Sequence, residues 1–161
     1  MLIDEIKKDA KSNLVKVFFD MDGVLVEYRV IQETEFDNVG FYEGLRPIKS
    51  SINFAKKLSK IKNVEVCILS NCRRITHKQD KIKWLKKYAT FFKEENINII
   101  CYEEIENFDK NSKANVKADL ILNLKKKQDF IAYHIDDDTT IIKVEKTIKD
   151  IKINHVSRIF K

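Results

Sequence analysis

The chain has 161 residues, 43% of them hydrophobic and 35% charged, with a net charge of +6 carried mostly by lysine. This length suits one domain with its own core, and 3 glycines and 1 proline leave little room for linkers or disorder. No apolar run approaches the ~20 residues that span a bilayer. The opening MLIDEIKKDAKSN is charged from the outset and has no apolar h-region, so a cytoplasmic location without a secretory signal or membrane partner is expected. Cys67, Cys72 and Cys101 lack paired spacing, which argues against a disulfide framework or a zinc site. The positive charge would attract phosphates, nucleic acid included. Yet no basic run exceeds the KKK at 125–127, and acids interleave throughout, as on ordinary lysine-rich helix surfaces.

In chain order, LVKVFF (14–19) reads as a buried strand closing on Asp20-Met21-Asp22-Gly23. Residues 27–46 break the rhythm with EFDNVGFYEGLRP, longer than a tight turn. A helix over 48–61 places Ile48, Ile52, Ala55, Leu58 and Ile61 on one face. VEVCIL (64–69) is a strand closing on Ser70-Asn71, and a helix over 78–92 aligns Ile82, Leu85, Tyr88 and Ala89. INIICY (97–102) is a third strand and 117–124 a helix candidate. FIAYHI (130–135) is a strand closing on Asp136-Asp137-Asp138, followed by a helix candidate at 140–148 and a weaker strand at 151–156. The alternation predicts a single α/β domain over 1–161, with a parallel sheet of about five strands and helices on both faces. Its crevice would lie beyond the carboxyl ends of the strands, where the three polar clusters converge beneath the 27–46 segment.

Clustered carboxylates repel, and a hard cation such as Mg²⁺, which prefers oxygen ligands, relieves that repulsion. Aspartates at i and i+2 past a strand could divide the work. One would attack phosphorus on the metal, and the other would protonate the leaving oxygen. Gly23, just after them, allows the tight turn that would bring backbone N–H groups toward phosphate oxygens.

These residues resemble the four motifs of the haloacid dehalogenase (HAD) superfamily: DMDGVL, CILSN (67–71), a lysine in or before NVKADLI, and YHIDDD (133–138), in that order. The resemblance covers most of residues 14–140. It implies a three-layer Rossmann-like HAD fold, with Asp20 as nucleophile and metal ligand. Asp22 would be the general acid/base, with its carbonyl on the metal. Ser70 and Asn71 would hold the phosphoryl group, together with a lysine. Lys113 and Lys117 both fit that lysine by spacing, and Lys117 in KADLI is the better match. Asp136 and Asp137 would complete the Mg²⁺ site, direct and water-mediated respectively, with Asp138 capping the next helix. GFYEGLRPIKSSINFAKKL (40–58), ILSN and KIKWLKKY (81–88) are similar to 5′(3′)-deoxyribonucleotidases and their small bacterial relatives. That likeness suggests a nucleoside monophosphate as substrate, with Phe41, Tyr42 and Arg46 near the entrance. The sequence departs from those enzymes in its cap, reduced to a minimal insert at about 24–46. The open crevice keeps a nucleic-acid 3′-phosphate end as an alternative substrate, and a non-catalytic phosphate-binding module as an alternative role. Arg73, Arg74 and His77 are expected on a solvated loop, His134 and Trp84 in the core.

Overall fold

The computed structural model describes residues 1–29, 38–108 and 113–160, without the side chains of 113 and 114. The elements are α1 (Leu2–Asp9), β1 (Val15–Phe19), α2 (Lys49–Leu58), β2 (Val64–Cys72), α3 (Ile75–Tyr88), β3 (Ile97–Cys101), α4 (Lys113–Lys127), β4 (Ile131–Asp136), α5 (Thr139–Glu145) and β5 (Ile151–His155). The five strands form one sheet in the order β3-β2-β1-β4-β5, and every adjacent pair is parallel.

Parallel strands covered on both faces need apolar residues at successive positions, and β1 supplies them. Val15, Val17 and Phe19 face a core shared with Ala55 and Leu58 of α2 and Trp84 and Leu85 of α3. Phe18 points the other way, into a core with Cys67, Leu69, Phe130 and, from α4, Ala118 and Ile121. The helices therefore cover both faces, as the alternation predicts. Among the described residues, no helix is long and apolar enough to cross a membrane.

Several boundaries differ from the sequence reading, among them the longer helix at 113–127 where 117–124 was expected and the shorter one at 139–145 where 140–148 was expected. Strand β2 runs on through Ser70, Asn71 and Cys72, which pair with Ile99, Ile100 and Cys101 of β3. Helix α3 starts at Ile75 and stops at Tyr88, because Ala89 leaves the helical region at φ −143°, ψ 49°. Helix α1 has no counterpart in that reading. It buries Leu2 and Ile6, and its end is tied down where Asp9 accepts from Tyr133 (2.8 Å) and Lys152 (2.6 Å).

Winding runs from β1 through β2 to β3 on one side and returns through β4 and β5 on the other. The reversal lies between β1 and β4, the place where such sheets open a crevice. The described parts of the insert are held against helix α3. Trp84 Nε1 donates to the Leu45 carbonyl at 2.8 Å, and Asp80 accepts from the Gly40 amide at 2.6 Å. Lys83 pairs with Glu43 at 2.9 Å. The Glu27 amide donates to the Arg46 carbonyl at 2.9 Å, so residues 27–29 run beside 44–46.

Candidate active site

The turn after β1 is built from backbone. The Asp20 amide still donates to Ile135 of β4 at 3.0 Å, which seats Asp20 at the β1/β4 reversal. The Met21 carbonyl then accepts from the amides of Val24, Leu25 and Val26. Gly23 adopts φ +72°, a region that L side chains rarely enter. A Cβ there would lie 2.3 Å from Asp137 Oδ2, so glycine is required both by the turn and by the approach of the β4 acid.

Two lysines enter from opposite faces of the sheet. Lys117 of α4 is 2% exposed, and its ammonium bridges Asp20 Oδ1 at 2.9 Å and Asp136 Oδ2 at 2.7 Å. Lys113, the alternative by spacing, has its side chain outside the described residues. Lys81 of α3 is fully buried. It donates to Asp22 Oδ2 at 2.5 Å, Ser70 Oγ at 2.9 Å and the Asn71 carbonyl at 2.9 Å. The motif reading missed Lys81, although a signal was present. His77, Lys81, Trp84 and Leu85 recur at i, i+4, i+7 and i+8, the spacing of a buried helix face, and all four are buried.

Burial would raise both carboxyls of the turn. At Asp20 the ammonium groups of Lys117 and Lys81 outweigh it and hold the carboxyl below its usual range. At Asp22 burial prevails over Lys81 with help from the Asp20 charge, and the carboxyl is held above its usual range. Neighbouring acids pushed apart in this way are suited to different roles: an ionised nucleophile and a proton donor.

Asp136 Oδ2 takes the Lys117 ammonium, and Oδ1 accepts from the Asp138 amide at 2.8 Å. Asp137 is raised by burial and by the Asp20 and Asp136 charges, against the Tyr28 hydroxyl, which donates to it at 2.9 Å. One carboxylate oxygen from each of Asp20, Asp136 and Asp137 lies within 4.8 Å of the others. An all-oxygen, all-anionic set of this kind fits Mg²⁺. The Asp22 carboxylate faces Lys81 and is not part of the set. Asp138 is the N-cap of α5, accepting from the Thr140 amide at 2.7 Å.

Of the other candidates, Arg46 is exposed beside the crevice and Phe41 is half-buried. Tyr42 is buried, with its ring 4.8 Å from the Lys81 ammonium, so it supports that lysine from beneath and is not an open stacking platform. Arg73 and Arg74 are exposed, but His77 is fully buried and packs against the Tyr42 ring at 5.6 Å, which corrects its expected place on a solvated loop. Its helix begins three residues earlier than the sequence suggested. His134 is buried behind the site, with Nδ1 2.7 Å from Glu145 Oε2 and Nε2 3.4 Å from Asp136 Oδ2.

No protein-family model matches the chain, and no curated protein matches it. Solved structures do. A chain of the Pnkp1/Rnl/Hen1 RNA repair complex is similar with a TM-score of 0.67 at 14% identity, over 89% of this chain and 42% of that one. The HAD domain of the effector protein Lem4 from Legionella pneumophila is similar with a TM-score of 0.52 at 16% identity, over 88% of this chain and 86% of that one. DsGPDH of Dunaliella salina gives a TM-score of 0.52 at 11% identity, over 91% of this chain and 24% of that one. The chain thus spans less than half of the RNA repair chain it matches. The fold is the Rossmann-like α/β fold of a HAD domain.

Proposed function

We propose that the chain is a Mg²⁺-dependent phosphomonoester hydrolase of the HAD superfamily. The observation that carries this reading is the Asp20/Asp22 pair. The two carboxyls lie two residues apart and are pushed in opposite directions, and each is held by its own buried lysine. Ionised Asp20 attacks phosphorus, and a new P–O bond forms as the bond to the leaving oxygen breaks. That oxygen takes the Asp22 proton and departs as the alcohol. Asp22, now a base, removes a proton from water. The water oxygen adds to phosphorus and expels the Asp20 carboxylate, and inorganic phosphate leaves. Lys117 and Lys81 present positive charge, and Ser70 a hydroxyl, where charge spreads over the transferring group. Mg²⁺, held by Asp20, Asp136 and Asp137, would neutralise phosphoryl charge.

A nucleoside monophosphate is the first substrate reading, from the likeness of KIKWLKKY and its neighbours to deoxyribonucleotidases. The second, a 3′-phosphate end of a nucleic acid, is supported by the net charge of +6 and by the likeness to a chain of an RNA repair complex. Assay of an aryl phosphate with Mg²⁺, with and without chelator, tests the chemistry. Chelator-sensitive hydrolysis is expected, abolished by Asp20→Asn. No turnover anywhere across about pH 5–8 would sink the enzyme reading.

A further inference from the structure

Beside the carboxylate cluster lies a cavity of about 390 Å³, lined by Glu27, Tyr28, Arg29, Gly44, Leu45 and Arg46. Tyr28 belongs to both places. Its hydroxyl donates to Asp137 at 2.9 Å, and its flank forms part of the cavity wall. A Cβ at Gly23 would come within 2.5 Å of the Tyr28 ring, so that ring sits directly on the nucleophile turn. The two walls are fixed to each other by the Glu27 amide on the Arg46 carbonyl, and the second wall is anchored by Trp84 on Leu45. Among the described lining residues, two guanidiniums stand against one carboxylate. Among the described residues, neither guanidinium has an ion-pair partner. The catalytic lysines do not reach this cavity, so its charge is not needed to bind the phosphoryl group under attack.

We infer that the cavity is a subsite for a second phosphate, and that the preferred substrate is a phosphomonoester whose leaving alcohol carries another phosphate ester, held by Arg29 and Arg46. This rests on the phosphatase reading for where the first phosphate sits. The forked guanidinium geometry suits phosphate oxygens and supplies paired charge-assisted hydrogen bonds. The volume is within the range of small-ligand sites. The second phosphate has two sources, a nucleoside bisphosphate or the first phosphodiester of an oligonucleotide with a terminal phosphate, and the same two arginines would serve both.

The test separates the subsite from the chemistry. Aryl phosphate hydrolysis by the unmodified chain reports the phosphatase reading alone. Calorimetric titration of the Asp20→Asn variant reports binding without turnover. Its probes are adenosine 3′-monophosphate, 5′-monophosphate, 3′,5′-bisphosphate and a 3′-phosphorylated dinucleotide. The bisphosphate or the dinucleotide is expected to bind at least about tenfold more tightly than either monophosphate. Whichever of the two binds better identifies the source. Adding Arg29→Ala or Arg46→Ala should erase most of that preference, and Arg46→Lys should keep part of it. Equal affinity for singly and doubly phosphorylated probes overturns the subsite, whether or not aryl phosphate is hydrolysed. So does an equal loss for every probe in the arginine variants.

Discussion

At Asp22 one lysine does two things. Lys81 stabilises the carboxylate form of Asp22, the proposed acid/base, and it also carries Ser70 and the end of β2 on the same ammonium. Replacing Asp22 by Asn removes the proton and leaves the cation. Alkyl phosphate hydrolysis should therefore fall by about 10²–10⁴; with an aryl phosphate the aryl oxide leaves without help, so its first release should survive as a burst while steady turnover, which needs Asp22 as the base, falls. Lys81→Met removes the cation and leaves the acid. Asp22 then moves further above its usual range, so in pH–rate profiles the limb that reports it should shift upward while turnover falls for both substrate types. An unshifted limb would separate Lys81 from Asp22. Gly23→Ala is the steric counterpart. The positive φ and the contact with Asp137 Oδ2 should cost about 1–3 kcal/mol in denaturant melts. Much of the candidate site was legible in the sequence because acids gathered at strand ends have few structural uses. Lys81 was less so, since one lysine among many declares itself only by its place on the His77–Trp84 face.

At the scale of elements, hydrophobic period identified the strands and the larger helices. It failed where polar residues are buried or where docking substitutes for pattern. Ser70 and Asn71 look like a loop, yet β3 continues to pair with them. Helix α1 has only Leu2 and Ile6 to bury, too short a pattern to stand alone, and an eight-residue helix is marginal in water without tertiary support. Its anchor is Asp9, whose carboxyl is held below its usual range first by the hydrogen bond from Lys152, against burial, with Tyr133 adding to it. A depressed folded-state value gives stability that is complete above the unfolded value of about 3.9. That stability is lost as pH falls through the folded value. Asp9→Asn should thus destabilise the protein by about 0.5–1 kcal/mol at neutral pH, solvent screening included. The gap between variant and parent should narrow in melts as pH is lowered below about 4. A gap that persists there would mean the tie is not ionic.

On the scale of the whole molecule, no single layer contains the site. The sheet contributes Asp20, Ser70 and Asp136, one helical layer brings Lys81, and the opposite layer brings Lys117. The reversal between β1 and β4 makes this convergence possible; the parallel sheet was readable from the alternation of strand and helix, and the strand order that creates the reversal was not. The substrate was not, because it depends on the insert, where sequence period is weak and side-chain placement decides. A site that joins all three layers links ligand binding to global stability. A carboxylate oxygen of Asp20 comes within 4.8 Å of those of Asp136 and Asp137 only when β1 and β4 pair, so Mg²⁺ should bind the folded chain in preference to the unfolded one. At 100 times its Kd, that preference is worth about 2.7 kcal/mol. For a domain of this size, about 2–4 °C of Tm accompanies each kcal/mol, so saturating Mg²⁺ should raise Tm by roughly 5–10 °C over Na⁺ at matched ionic strength. Chelator should reverse the shift, and Asp137→Asn should reduce it without the metal-free Tm falling in parallel, since its loss removes repulsion among the acids. A Tm indifferent to Mg²⁺ in the unmodified protein would show that Lys117 on Asp20 and Asp136, with Tyr28 on Asp137, satisfies the three carboxylates without a metal.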